Sequence, residues 1–481
     1  MPPAIASAFF AIGILVLFML DRDREAKTSK ALWIPVLWLL INGSRPVSMW
    51  LQLSTPMDSP DQYLDGSPFD RVVYLVLLIA GLIVLVQRAR KVGTLLRANA
   101  PIIIFFIFCF ASIFWSDYTF VAFKRWSKAI GDVVMVLIVF TDLDPEAALK
   151  RLLTRVGFVL VPLSVLVIRY YPEMGRSFNP WSWAYMYNGV STTKNMLGMT
   201  CLIVGLGSVW QLTTAYRNRE DIYRRGHLIA HGSLIAMALW LFWTANSMTS
   251  LACFLMAGGI IVITSLRFAR RPVAAQLLMA GAVCLSLAAL FFDSGGGMVQ
   301  SLGRDATLTG RTAIWKAVIS LVENPVGGTG FESFWLGDRL RKVWDMTDKG
   351  IQEAHNGYLE VYLNLGWLGI SLLALLLVTG YRNVIALFRY NPEAGSIRVA
   401  FFATAIIYNL TEAGFRMMSM VWIAFLLAIV AVPELLPKER PYEEPLLTGP
   451  LSSQIAIDPR IPVARRLGQS TSSLGSPRLT R

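Results

Sequence analysis

Histidine is scarce in this sequence, with three in 481 residues, and cysteine nearly so, with four. Cys109, Cys201, Cys253 and Cys284 all fall inside apolar runs, without metal-ligand spacing. That excludes a disulfide framework or a zinc module and leaves them as helix-packing residues. Charge is thin as well. Only 16% of residues are charged against 55% hydrophobic, and the mean hydropathy is +0.53, which excludes an ordinary soluble protein. The first apolar run has no basic residue before it and no small-residue cleavage site after it, so an uncleaved anchor is expected there rather than a signal peptide.

What is present is a series of apolar runs close to the ~20 residues that cross a bilayer. They fall near 3–20, 31–50, 71–87, 99–115, 119–140, 152–170, 196–213, 228–245, 250–266, 274–292, 357–379, 397–413 and 415–432. The expected fold is therefore an all-α polytopic membrane protein of about 12–13 helices. Its domains run 1–292 (helices 1–10), 293–356 (a long external loop with amphipathic helices), 357–432 (helices 11–13) and 433–481 (a disordered cytoplasmic tail rich in Ser, Pro and Arg). Basic clusters such as "DRDREAKTSK", "QRARKVGTLLRAN" and "YRNREDIYRRGH" occupy every second connection, which makes those connections cytoplasmic. The net charge of +13 is thus mostly topology, and no basic soluble face suggests a nucleic-acid partner.

Cations on the external side go against that rule. Lys124, Lys128 and Asp132 recur at i, i+4 and i+8 on one helical face with Arg125 beside them; Arg169 and Arg176 bracket a helix end; Lys194 opens the seventh span; Arg416 closes the last external hairpin, four residues after Glu412. Singly, each reads as a snorkelling cation or a structural ion pair such as Glu412 with Arg416. Together they suggest an anionic ligand, phosphate above all. In the long loop, "TLTGRTAIWKAVISLVENPVGGTGF" reads as an interfacial helix with Arg311 in its first turn, where free N–H groups already favour an anion. His355 stands at the mouth of the eleventh span, and Asn356, Glu360 and Asn364 continue from it as a polar stripe that must face protein or water. A histidine there can take a proton from an incoming hydroxyl. His227 and His231, near the cytoplasmic end of the eighth span, read as structural or interfacial.

"GRTAIW", "ENPVGGTGFESF" and "EAHNGYLEVYLNLGWLG", with "YNGVSTTKNMLGM" upstream, together resemble the O-antigen ligase and polysaccharide polymerase family, nearest to its exopolysaccharide polymerase branch. The resemblance implies a bacterial inner-membrane, metal-independent glycosyltransferase with no cofactor. Its donor would be an undecaprenyl-pyrophosphate-linked oligosaccharide and its acceptor a glycan or lipid A core. A flippase and a chain-length regulator would be candidate partners, and the active site would face the periplasm. By position it implies catalytic roles for His355 and Arg311. A second family arginine is expected before the seventh span, where this chain has Lys194 and, further upstream, Arg176. Arg125, Lys128, Asn356, Glu360 and Arg416 complete the set expected to bind pyrophosphate and glycan. Three other readings stay open: a metal-dependent glycosyltransferase using the acidic "DSPDQYLDGSPFD", a lipid-linked glycan transporter, and a scaffold.

Overall fold

The protein is described by a computed structural model over residues 1–22, 27–53, 64, 66–179, 184–292, 308–347 and 350–435. Most of the acidic 58–70 stretch, the first part of the long loop and the tail beyond Leu435 lie outside the described residues.

Each expected span contains a helix. In chain order the longer helices, of which α4, α12 and α13 lie between the expected spans, are α1 (Pro3–Leu20), α2 (Trp33–Asn42), α3 (Pro68–Gln87), α4 (Ala89–Ala98), α5 (Ala100–Ala111), α6 (Thr119–Phe140), α7 (Pro145–Tyr170), α8 (Lys194–Arg217), α9 (Arg224–Ala245), α10 (Met248–Ser265), α11 (Pro272–Phe292), α12 (Leu308–Ser320), α13 (Gly337–Met346), α14 (Gly357–Tyr390), α15 (Pro392–Tyr408) and α16 (Met420–Ile429). Local chemistry starts several of them. Pro145 opens α7 and the Asp144 carboxylate accepts from the N–H groups of Glu146 and Ala147, each at 3.0 Å. Thr193 caps α8 through the Met196 N–H at 3.2 Å.

The protein is a multi-pass membrane protein, and the span count is where structure and expectation part. Among the described residues, seven helices (α1, α3, α7, α8, α9, α10 and α14) are long and apolar enough to cross alone, and the α4/α5 region adds an eighth if counted as one span bent by 88°. Three other apolar helices, within Lys30–Asn42, Pro272–Ala288 and Met420–Ile429, are shorter. The run at 31–50 breaks at Gly43 and Pro46, and the run at 415–432 is helical only from Met420.

Side-chain exposure shows which helices meet lipid. On α1, Phe9, Ile12 and Met19 are exposed, and on α3, Val72, Val76 and Val86. Exposed apolar side chains carry no penalty in hydrocarbon, so these helices form the rim. Every residue of α16 is buried, and α7, α8 and α15 pack around the middle. The buried Asp132 is paired at this depth: Trp38 Nε1 donates to its Oδ1 at 2.8 Å, and the Met418 N–H donates to its Oδ2 at 2.8 Å, tying α6 to α2 and to the loop before α16.

The bundle has two unlike ends. Its basic end gathers Asp21, Lys150, Arg151 and His227 around a cavity of about 500 Å³. Its opposite end carries the antiparallel hairpin Arg176–Asn179/Ala184–Tyr187, α12, α13 and the 409–419 loop. Exposed residues from the two ends, Glu323 and Asn218, provide a topology test. In a Cys284→Ser background, cysteine at 323 should react with an impermeant thiol reagent in permeabilised-envelope cells, and cysteine at 218 only after lysis. The reverse pattern would invert the bundle.

Candidate functional site

The site is built on a break in α14. Gly366 has φ +63°, outside helical geometry, and a Cβ there would lie 2.3 Å from the Val326 carbonyl oxygen. The gap is filled by the 324–330 turn. Asn324 Oδ1 accepts from the N–H groups of Val326 and Gly327 at 3.1 and 3.0 Å, which folds the turn. Trp367 and Leu368 then donate to the carbonyls of Pro325 and Val326 at 2.9 and 3.1 Å. In return Thr329 and Gly330 donate to Leu363 and Asn364 at 3.1 and 2.9 Å. Four backbone hydrogen bonds therefore anchor the Asn-Pro-Val-Gly-Gly stretch on the broken helix.

The polar stripe on α14 holds the segments packed beside it. Asn356 is the N-cap, its Oδ1 accepting from the Leu359 N–H at 3.0 Å, and its Nδ2 donates to Leu410 O at 3.2 Å. Glu360, buried, accepts from Trp335 Nε1 at 2.8 Å and from the Ala354 N–H at 2.5 Å. Asn364 Oδ1 accepts from the Phe334 N–H at 3.0 Å. The stripe thus faces protein, and its members position the turn and the strand of chain that leads to His355.

Around that frame, three cations and three carboxylates interlock. Arg311 donates from Nη1 to Thr411 O at 2.6 Å and from Nη2 to Glu412 Oε1 at 3.2 Å. His355 Nδ1 lies 3.3 Å from Glu412 Oε2 and 3.2 Å from Glu353 Oε1. Arg416 Nη1 lies 3.3 Å from Glu353 Oε2, and its Nε 3.9 Å from Glu332 Oε2. Asn195 Nδ2 donates to Glu412 Oε2 at 3.2 Å. His355 and Glu332 adopt positive φ, +47° and +51°, a strained backbone that the surrounding contacts hold in place.

The electrostatics follow from the pairing. Burial alone would lower the His355 pKa, but the hydrogen bonds and charges of Glu353 and Glu412 outweigh it and push it up to about 9. Burial raises Glu353, yet His355 and Arg416 together hold it below its ordinary value. Burial likewise opposes the charge on Arg416, and Glu332, Glu360 and Glu353 hold its guanidinium above the ordinary range. An imidazole charged at neutral pH donates a proton and does not accept one.

The structure brings some of the sequence-selected residues together and leaves others apart. Arg311, His355 and Arg416 meet in one cluster. The pair expected between Glu412 and Arg416 does not form, because residues 411–419 are a loop and the i, i+4 spacing has no helix to act on. Arg125 reaches the cluster's flank, donating to the Glu332 carbonyl. Lys128 lies over the Tyr74 ring at 5.0 Å, and Arg176 donates from Nε and Nη2 to Ile168 O at 3.1 and 2.9 Å, each engaged locally instead. Lys194, the first residue of α8, has no ion pair or hydrogen bond among the described residues, while its neighbour Asn195 holds Glu412. Sequence reasoning missed Glu332 and Asn195, whose only signals were positions inside recognised motif segments.

Behind the cluster, a pocket of about 30 Å³ is lined by Glu332, Glu360, Asn364 and Arg416 and by Phe106. Phe106 also borders an apolar cavity of about 250 Å³, between α5, α6 and α16, lined by Ile103, Trp126, Ile130 and Leu426. Glu353, His355 and Glu412 offer atoms within 4.8 Å of one another, close enough to hold a metal ion, although Arg311 and Arg416 already sit on the two carboxylates.

Residues 232–374 match the family described as O-antigen ligase. The chain is 27% identical over 287 residues to the exopolysaccharide production protein ExoQ of Rhizobium meliloti strain 1021, covering 58% of this chain and 63% of that protein, less than two thirds of its length. The resemblance read from the motifs is borne out by both. The matched 232–374 segment contains Arg311, the glycine turn, His355 and the α14 break, and leaves out Lys194, Glu412 and Arg416.

The raised His355 pKa sets a pH dependence. The imidazolium contributes stability that is fully present below about pH 6.5 and is lost as pH rises through about 9. Melting of the detergent-purified protein between pH 6.5 and 9.5 should fall more steeply for wild type than for His355→Gln. Parallel slopes would show that His355 is not held charged by its neighbours.

Proposed function

We propose that this chain is a membrane glycosyltransferase that moves a glycan from an undecaprenyl-pyrophosphate carrier to an acceptor hydroxyl, and that it polymerises exopolysaccharide or O-antigen repeat units. The observation that carries the reading is the cluster at the mouth of α14, where two guanidiniums and an imidazolium are each held by a carboxylate beside an apolar cavity. Such cations are ready for a pyrophosphate, which would exchange places with the carboxylates. The cavity beside Phe106 and Trp126 suits the carrier's hydrocarbon, and Lys194 supplies a further charge at the start of α8.

The acceptor oxygen bonds to the anomeric carbon while the bond from that carbon to pyrophosphate breaks, the electron pair leaving with the phosphate. Arg311, Arg416 and charged His355 stabilise that growing negative charge. The hydroxyl proton passes to Glu412 Oε1, which is released once Arg311 turns to phosphate. No metal is required, because the fixed cations meet the charge a divalent ion would. The same residues favour an enzyme over a transporter: the free backbone groups at the α14 break are taken up by the chain's own turn, not left to line an ion path. The chain sits in the bacterial inner membrane with this cluster on the periplasmic side, since the basic connections gather at the other end. Ligation to lipid A core is the second reading, favoured by the O-antigen ligase match.

A deletion strain separates the two. Loss of long exopolysaccharide with intact lipopolysaccharide supports polymerisation; lipid A core without O-chains supports ligation; no change in either glycan overturns the proposal.

With purified protein and a pyrophosphate-linked lipid donor, transfer should persist in excess chelator, and restoration by Mg²⁺ or Mn²⁺ alone would overturn the metal-free chemistry. Arg311→Ala and His355→Ala should each slow transfer by roughly 10²–10³-fold. Arg311→Lys should recover only part, because a point charge replaces a planar fork. The rate should decline as pH rises through about 9, as His355 loses its charge. A rate that climbs through the same range would make the neutral imidazole the proton acceptor.

A further inference from the structure

At the basic end of the bundle, far from the charge cluster, two of the three histidines converge with an aspartate. His227 and His231 stand at i and i+4 on α9, so both rings leave the same face. Asp21, the residue that ends α1, points one carboxylate oxygen at both: Oδ1 lies 2.6 Å from His227 Nδ1 and 3.0 Å from His231 Nε2. We propose that Asp21, His227 and His231 form a binding site for a divalent transition-metal ion of the Zn²⁺ class, which fastens the end of α1 to α9.

The far nitrogens of the two rings carry the inference beyond a simple cluster. A metal-bound imidazole is normally oriented by an acceptor on its other nitrogen. His231 Nδ1 lies 3.3 Å from Ser208 Oγ on α8, which leaves Nε2 for the ion, and His227 Nε2 lies 3.8 Å from Asp221 Oδ2, which leaves Nδ1 for it. Both rings are thus turned with their inner nitrogens toward one point, and all three ligand atoms lie within 4.8 Å of one another. His231 is fully buried against the Phe158 ring at 5.5 Å. The approach of the helices is close, since a Cβ on Gly226 would lie 2.3 Å from the Leu20 carbonyl oxygen. Asp21 and His227 also border the cavity of about 500 Å³, which gives an entry path and room for a water as fourth ligand. Two imidazoles and one carboxylate are a donor set that suits Zn²⁺ better than Mg²⁺ or Ca²⁺.

The site is tested with Co²⁺ and Zn²⁺ themselves on full-length, chelator-stripped protein in nanodiscs. Co²⁺ should give a tetrahedral d–d spectrum at one ion per chain, and Zn²⁺ should displace it and raise the melting temperature. His227→Ala should weaken binding more than 100-fold, and Asp221→Ala, which removes the carboxylate facing the second nitrogen of His227, by about 10–100-fold. His355→Ala should leave the spectrum intact. The absence of binding at micromolar metal, or a spectrum lost in His355→Ala and kept in His227→Ala, would overturn the proposal.

Discussion

Charges held at the edge of a bilayer must be neutralised by one another, and that requirement organises the opposite end of this protein. Arg311 comes from α12, His355 and Glu353 from the lead into α14, Glu412 and Arg416 from the loop before α16, and Glu332 from the docked turn. Removing any one leaves its partner desolvated and unpaired, which is far costlier than the net worth of the pair. The ion-pair network therefore fixes four separate segments against each other and keeps its three cations partly buried.

The scaffold beneath serves this arrangement through backbone rather than side-chain chemistry. A transmembrane helix cannot break without stranding N–H and C=O groups, and here the break at Gly366 is tolerated because the glycine turn supplies their partners. The turn carries Phe331 and Glu332 inward, against Ser112 Oγ on one side and Arg416 on the other. Asn409 works similarly on the last loop: its carbonyl accepts from the Gly357 N–H at 2.9 Å, and its side-chain oxygen accepts from the Phe415 N–H at 2.6 Å. Positions that look like simple loop filler in sequence thus decide where the charged groups stand.

The two histidine environments differ for physical reasons. His355 is squeezed between two carboxylates that each have a guanidinium of their own, so its positive charge completes a balanced set. His227 and His231 share a single carboxylate oxygen of Asp21, and the outer nitrogen of His231 meets Ser208 Oγ. Identical side chains in one protein are thereby directed toward unlike chemistry by what surrounds them.

Composition and hydropathy alone determined that the chain is an all-α membrane protein, because burying or solvating that many apolar residues in water is impossible. Motif order also picked out Arg311, His355 and the glycine turn. Tertiary structure decided the rest. It paired Glu412 with Arg311 and His355 instead of Arg416, because the intervening residues are not helical and sequence spacing fixes direction only along a regular element. It assigned the Asn356, Glu360 and Asn364 stripe to holding Leu410, Ala354 and the 334–335 segment in place. It recruited Glu332 and Asn195, drew Arg176 to the end of α7, and set His355 between two carboxylates, since these partners lie far away in the chain and no local pattern records who they are.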